Sequence, residues 1–437
     1  MAELASLPVQ EAESYAGNFP KMSQPKEVAC YSRDGMRRVQ HDKSALRPYR
    51  PPKLPAVLDE DFEKYIPKDA AKDGEPAPLG DLLAALAAKK VPIKDAQIVT
   101  YRNNLNKIFL TPYQRREDWE VGVEKREDGV VLLHVRETER KQQEEAARDE
   151  RSKRMAYWGY RFEQLSTLSE AEAAALVGGA GAGATEAGYR VPSPSDAGSY
   201  DHLFAQPELG ILRKRYAQQA ATTAKAGRGE GGGAGGGVGG GAALGPVNAN
   251  EEYCSIVQLT LDKCRLLMAA EIDCVAESPV GGPNDKVGAG YVELKTSKQI
   301  ASSRDMETYE RHKLLKFWLQ SFLAGVPSIV VGFRDDAGIV RELKSYETKT
   351  LHRLARGKAP GGKDYWNPTV CFNFGKSVLD WLLAQLAARE GGGAGRRFVL
   401  RYDPQRGAIL LRADDGGAKA GGGDNEEQPA AKRQRGS

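Results

Sequence analysis

Cysteine and histidine are scarce, with five of each in 437 residues. No two cysteines stand in a CxxC pair, and His134, His312 and His352 share no metal-ligand or triad spacing. A disulfide scaffold, a Cys/His zinc site and a histidine triad are therefore not the expectation. Cys254, Cys264 and Cys274 recur every ten residues, yet they stand in strand-like runs, where a free thiol behaves as a small hydrophobe. Unpaired cysteines suit a reducing compartment. No apolar run approaches the ~20 residues that would span a bilayer as a helix. The opening MAELASLPVQEAE carries acids and no apolar core, so it does not read as a secretory signal. A soluble, intracellular protein is expected, with no membrane partner. Charge of one sign is also lacking: 63 Lys+Arg against 59 Asp+Glu gives +4. That mild basic bias is compatible with a nucleic-acid substrate but far from a polycation. Glycine is plentiful (48 residues), but no Lys-Ser/Thr follows the glycine-rich stretch, which excludes a phosphate loop there.

The pattern alternates between helix and strand signals. A helix is expected over 79–90, a strand at 98–101, another at 130–135 and a charged helical run over 137–154. From about Ala174 to Pro246 the chain turns Ala/Gly-rich, and such a segment cannot bury enough apolar surface to offset its ordering entropy. It reads as a flexible insertion with room for one short helix at 209–219. Beyond it, 253–260 and 264–275 read as paired strands and 290–296 as a third. A helix over 305–323, a strand at 328–333, a hairpin partner at 339–346, a helix over 378–388 and a last hairpin (397–402, 408–412) follow. The resulting division is an N-terminal arm (1–44), one mixed α/β catalytic domain split into 45–173 and 247–413, the insertion (174–246) and a disordered tail (414–437). The tail ends in the basic cluster Lys432-Arg433-Gln434-Arg435, a candidate nuclear import signal.

Two stretches carry the chemistry: Ala269-Ala270-Glu271-Ile272-Asp273-Cys274-Val275 and Gly290-Tyr291-Val292-Glu293-Leu294-Lys295-Thr296. Strands alternate faces with period two, so Glu271 and Asp273 are expected on one face, and Glu293 and Lys295 on another. If the two strands are neighbours, three carboxylates and a lysine converge. Buried, uncompensated carboxylates cost several kcal/mol each, on the order of the penalty for unpaired ions. A divalent cation is the usual compensation, and oxygen ligands favour magnesium or manganese. Glu-x-Asp, a loop and Glu-x-Lys is the core arrangement of metal-dependent phosphodiester-cleaving sites. Taken alone, Glu271 and Asp273 fit a solvated edge strand, and Glu163 a surface charge. The apolar flanks and the Glu-x-Lys partner favour the buried site. Trp158 and Trp318 read as core.

Five strings occur in order: Tyr101-Arg102-Asn103-Asn104-Leu105-Asn106-Lys107, Gly159-Tyr160-Arg161-Phe162-Glu163, Glu271-Ile272-Asp273, Glu293-Leu294-Lys295 and Lys316-Phe317-Trp318-Leu319-Gln320-Ser321-Phe322-Leu323. With Gly332-Phe333-Arg334-Asp335-Asp336 they resemble the DXO/Rai family of RNA 5′-end decapping nucleases, most closely its fungal nuclear branch. The likeness covers roughly 45–173 and 247–412. It implies a PD-(D/E)xK-type nuclease core of mixed β-sheets flanked by helices. It implies divalent ions, two in number, held by Glu163, Glu271, Asp273, Glu293 and the main-chain oxygen of Leu294. Lys295 and Gln320 match residues that orient the attacking water, and Arg102 matches an arginine that contacts the RNA 5′ phosphates. The long insertion between Glu163 and Glu271 is the main departure from the pattern.

The resemblance further implies a nuclear hydrolase that acts on RNA bearing a 5′ triphosphate, an incomplete cap or an NAD cap. An Xrn-type nuclear 5′–3′ exonuclease is the implied partner. A mainly structural, non-catalytic activator of that exonuclease is a rival, disfavoured by the intact carboxylate set. A distributive 5′–3′ exonuclease and a DNA nuclease with the same metal core are others.

Overall fold

A computed structural model describes residues 2–68, 79–167, 245–281, 287–389 and 397–414. Among these the strands run in chain order as β1 (Glu3–Pro8), β2 (Lys26–Arg33), β3 (Val39–Gln40), β4 (Ala56–Val57), β5 (Ile98–Tyr101), β6 (Trp119–Lys125), β7 (Val131–Arg136) and β8 (Glu252–Leu261). They continue as β9 (Cys264–Glu271), β10 (Cys274–Ala276), β11 (Gly290–Lys298), β12 (Ser328–Arg334), β13 (Ile339–Glu347), β14 (Arg397–Asp403) and β15 (Ala408–Ala413). The helices used below are α1 (Gly80–Ala88), α2 (Arg102–Leu110), α3 (Glu139–Ala146), α4 (Glu150–Leu165), α5 (Ser303–Thr308), α6 (Leu314–Ala324), α7 (Thr348–Leu351) and α8 (Pro368–Ala387).

The strands form two sheets. A ten-stranded sheet has the order β1-β15-β14-β6-β7-β5-β9-β8-β2-β3, and a five-stranded sheet the order β10-β11-β12-β13-β4. Both are mixed: β5 runs parallel to β7 and β9, and β11 runs parallel to β12, while the other pairs are antiparallel. One face of the larger sheet (Ile98, Val121, Leu266, Met268) packs with Ile329 and Val331 of the smaller one, around α2, α6 and α8. Its other face (Val99, Leu132, Leu267) takes α1 through Leu82, Ala85 and Leu86. The outer face of the smaller sheet (Val292, Leu294, Val330) takes α4 through Tyr157, Trp158 and Phe162. The fold is thus a mixed α/β core of two sheets flanked by helices.

Four local expectations change. The run 264–275 is not one strand. β9 ends at Glu271, and the chain resumes at Cys274 in the other sheet, opposite Val292 of β11. Buried Ile272, Cys274 and Ala276 continue the period-two pattern across the break, so alternation alone does not show it. Residues 1–44 do not stand apart as an arm: β1 pairs with β15, and β2 with β8. β1 is an edge strand with little to bury, and β2 is buried on both faces over Ala29–Ser32, so neither alternates. The helix expected over 305–323 is α5, a π-turn at Tyr309–Lys313, then α6. The helix expected from 378 starts ten residues earlier, where Pro368 occupies the first turn and the Asn367 side chain accepts from the Thr369 N–H at 2.9 Å. The insertion, except Gly245 and Pro246, and the tail beyond Asp414 lie outside the described residues, as do the helix expected at 209–219 and the basic cluster.

Candidate active site

The site lies where the chain crosses between the sheets. In the parallel β11–β12 register, Glu293 faces Ile329 and Lys295 faces Val331. Both side chains therefore point into the layer between the sheets, toward α6. Val292 and Leu294 point the other way, into the layer under α4. β5 and β9 run parallel, with Tyr101 beside Ala269. Arg102 begins α2 one residue past the end of β5, and Glu271 ends β9, so both arrive at the same end of the large sheet. Asp273 sits in the two-residue crossing to β10, and Glu163 lies in the last turn of α4.

Glu293 is the centre, 1% exposed. Arg102 Nη1 donates to its Oε2 at 3.2 Å, and Lys295 Nζ and Gln320 Nε2 both donate to its Oε1. Arg102 Nη1 also donates to the main-chain oxygen of Gln320 at 3.4 Å. Lys295 Nζ lies 3.6 Å from Asp273 Oδ2 and donates to the Leu294 carbonyl at 3.0 Å. The Leu294 N–H donates to Asp273 Oδ2 at 2.6 Å, which ties the crossing to β11. Glu271 is the outlier: 45% of its side chain is exposed, and Lys68 Nζ stands 4.0 Å away.

The charges sort accordingly. Glu293 stays below the usual carboxylate range: burial opposes this, but Lys295 and Arg102 outweigh it. Burial pushes Glu163 well above that range, and the nearby Asp273, Glu271 and Glu293 carboxylates add to the push against Lys295. Burial and Glu293 raise Asp273 to about 7, with Lys295 and the Leu294 N–H acting the other way. Glu271 also rises, through burial offset by Lys68. Glu163, Asp273 and Glu271 thus each feel the Glu293 charge. Direct contacts join Arg102, Asp273, Glu293, Leu294, Lys295 and Gln320, while of the expected residues Glu163 and Glu271 meet this group through charge and not through a direct contact.

Among the described residues, no three His, Cys, Asp or Glu side chains draw together around one point as tightly as a bound ion would hold them. The Glu293 carboxylate is taken by three protein donors. The donor set nonetheless suits a hard cation. It offers four carboxyl groups and a main-chain carbonyl, all oxygen, with mutual repulsion that protein cations only partly offset. Sequence reasoning missed Lys68 and its buried partner Glu252, which meet Glu271 from remote segments with no marking motif. Trp158 and Trp318 are buried, as expected for core residues.

A model of the RAI1-like PD-(D/E)XK nuclease family matches residues 23–178 and 240–429. The chain belongs to that family. The nuclease is 30% identical to Decapping nuclease RAI1 of Emericella nidulans over 384 residues, 88% of this chain and 87% of that one. It is 29% identical to the human Decapping and exoribonuclease protein, across 86% of this chain and 78% of that one. S. pombe Rai1 in complex with 3′-FADP superposes with a TM-score of 0.62 at 26% identity, covering 93% of this chain and 98% of that one. The family match passes over residues 179–239, the stretch where the low-complexity insertion falls.

Proposed function

We propose that this nuclease hydrolyses the 5′ end of RNA with the help of divalent cations. The observation that carries the reading is Glu293: a buried carboxylate gripped by Lys295, Arg102 and Gln320, with Asp273, Glu163 and Glu271 crowded within electrostatic reach. Two magnesium or manganese ions would be held by Glu163, Glu271, Asp273, Glu293 and the Leu294 carbonyl. Bound there, they would acidify a water and neutralise charge on phosphoryl oxygens. The relatives' names, decapping nuclease and exoribonuclease, supply the substrate class.

The chain's own residues divide the remaining work. Lys295 is a point charge fixed by Glu293, Asp273 and the Leu294 carbonyl, placed to orient the attacking water and to offset charge that grows on phosphorus. Gln320 donates its amide to Glu293, which leaves its side-chain carbonyl without a protein donor among the described residues and free to accept from that water. Arg102 spends Nη1 on Glu293 and Gln320, which leaves Nε and Nη2 for 5′ phosphates. With a triphosphate end, attack beyond the α-phosphorus releases pyrophosphate and leaves a monophosphate. An incomplete or NAD cap would leave as one unit with its first nucleoside, by hydrolysis of the phosphodiester that follows, which again leaves a 5′ monophosphate. The monophosphate product suits an Xrn-type 5′–3′ exonuclease as partner, and the basic tail fits a nuclear site of action.

The test is a panel of 5′-labelled RNAs with magnesium or manganese, run on the wild type and the Glu271→Ala/Asp273→Ala double variant. The wild type is expected to release pyrophosphate from triphosphate RNA, and the double variant to stay folded and release none. Wild-type turnover by the double variant would overturn the assignment.

A further inference from the structure

The segment from Phe62 to Lys68 lies across α4 beside the carboxylates. Phe62 and Tyr65 meet Tyr157 edge-on, with ring centroids 5.3 and 5.2 Å apart. Tyr65 then stacks on Tyr160 at 5.8 Å and 29°. The Ile66 N–H donates to the Val247 carbonyl, and the Ala249 N–H to the Ile66 carbonyl, both at 2.9 Å. Lys68 closes the segment. Its Nζ donates to Glu252, which is buried and takes Arg33 on its other oxygen, and Arg33 in turn holds Asp81 at the start of α1. The ammonium is thus anchored from behind and stands 4.0 Å from Glu271.

Nothing in the chemistry above uses these groups. Tyr160 precedes Glu163 by three residues on α4, so the two share a helix face. Glu163 acts on both tyrosine hydroxyls and Glu271 on that of Tyr160, yet neither hydroxyl has a hydrogen-bond partner among the described residues. Both rings are only half-buried. Arg33 shares the charge of Glu252, so Lys68 keeps donors to spare on its exposed side. An aromatic face and an anchored cation beside a phosphate-cleaving centre are the parts of a nucleotide subsite: bases stack on rings, and phosphates pair with ammonium groups.

We propose that Tyr65, Tyr160 and Lys68 form such a subsite, in which a base at the RNA 5′ end stacks on the tyrosine pair and Lys68 meets an adjacent phosphate. This rests on the 5′-end reading and adds a place for the nucleotide beside the scissile bond. Every base has a π-face, so the subsite detects the presence of a base more than its identity.

Binding separates this proposal from turnover. The probes are short 5′-monophosphate RNAs with hydrolysis-resistant linkages, with or without a base on the first nucleotide, titrated by fluorescence anisotropy. The wild type is expected to prefer the base-bearing RNA by about tenfold, the size of one stacked base. Tyr65→Leu and Tyr160→Leu should bring that ratio toward one, and Tyr160→Phe should keep it. Lys68→Gln should weaken both RNAs alike and lower the salt slope by about one unit. A wild type that binds the two RNAs equally, or folded leucine variants that keep its ratio, would overturn the subsite. If the leucine variants misfold, a photoreactive 4-thiouridine at the 5′ end, used with wild-type protein, decides: it should crosslink to the peptide carrying Tyr65 or Tyr160, and a crosslink elsewhere overturns the idea. A base preference without hydrolysis would remove the activity reading alone, and hydrolysis without the preference would remove the subsite alone.

Discussion

Glu293 and Glu271 sit in one cluster but in opposite surroundings, and that difference makes the roles of the residues separable. Glu293 is 1% exposed and neutralises Arg102 and Lys295 together. Removing its charge in Glu293→Gln leaves buried Arg102 without a carboxylate and Lys295 with Asp273 alone, which costs about 3 kcal/mol or more for a broken buried pair. Glu271 keeps 45% of its side chain in solvent. Glu271→Ala should cost under about 1 kcal/mol, as exposed pairs do. Turnover should vanish in both, so urea denaturation beside an RNA assay tells a structural carboxylate from one needed only for chemistry. The pH dependence has a definite sign. Asp273 is raised from 3.8 to about 7 in the fold, so between those values the folded chain holds a proton that the unfolded chain has released. Stability with a chelator present should therefore be full below about pH 4 for this group and fall as pH rises toward 7. Glu163 acts in the same sense. Asp273→Asn should flatten this part of the curve relative to the wild type, and identical pH dependences in the two proteins would contradict the placement. The Glu293–Lys295 pair was legible in the sequence because period two survives in β11. Lys68 was not, because only the folded chain brings it to Glu271.

At the scale of elements, the site depends on a strand that changes sheets and on a helix that presses on a glycine. β9 delivers Glu271 to one sheet and β10 belongs to the other, with Asp273 held between them by the Leu294 N–H. The expected pair of neighbouring strands was right for β10 and β11 but not for β9, since pattern shows which side chains are buried and not which sheet buries them. The π-turn at Tyr309–Lys313 was equally hidden: it shifts the phase of α6, which carries Gln320, without altering the hydrophobic content that marks a helix. On the outer face, α4 seats Phe162 on Gly332 of β12. A Cβ added there would fall 2.7 Å from Phe162 Cε2 and 2.9 Å from Cζ. Phe162 is fully buried and has little room to yield. Gly332→Ala should therefore cost about 1–3 kcal/mol through overpacking. Because Glu163 is the next residue on α4, the same change should raise the metal concentration needed for half-maximal turnover. A metal requirement that stays the same while the protein loses stability would show that α4 tolerates the shift without moving Glu163.

Across the whole molecule, the site is assembled from segments that the chain order keeps far apart, and the low-complexity stretch separates Glu163 from Glu271. Both edges of that stretch are nevertheless in one place. Gln164 Nε2 donates to the Gly245 carbonyl at 2.9 Å, the Ser166 carbonyl accepts from the Arg50 N–H at 2.8 Å, and Val247 is tied to Ile66. Composition marks 174–246 as an insertion, and the family match leaves 179–239 unmatched. What composition does not show is that its ends already touch. Joining Thr167 to Gly245 through a few glycines therefore requires no rearrangement of α4 or of the β8 approach. Loop closure grows slowly with length, about 0.6 kcal/mol per doubling, so shortening 168–244 to a short linker should return no more than about 2 kcal/mol. For a chain of this size that amounts to a melting temperature unchanged or higher by up to about 3 °C. The Glu293–Lys295–Arg102 cluster should survive intact, and with it pyrophosphate release from triphosphate RNA. A large fall in melting temperature would mean that the stretch packs against the body. Unchanged stability with lost turnover would mean that it takes part in holding RNA, and either result would remove it from the class of passive insertions.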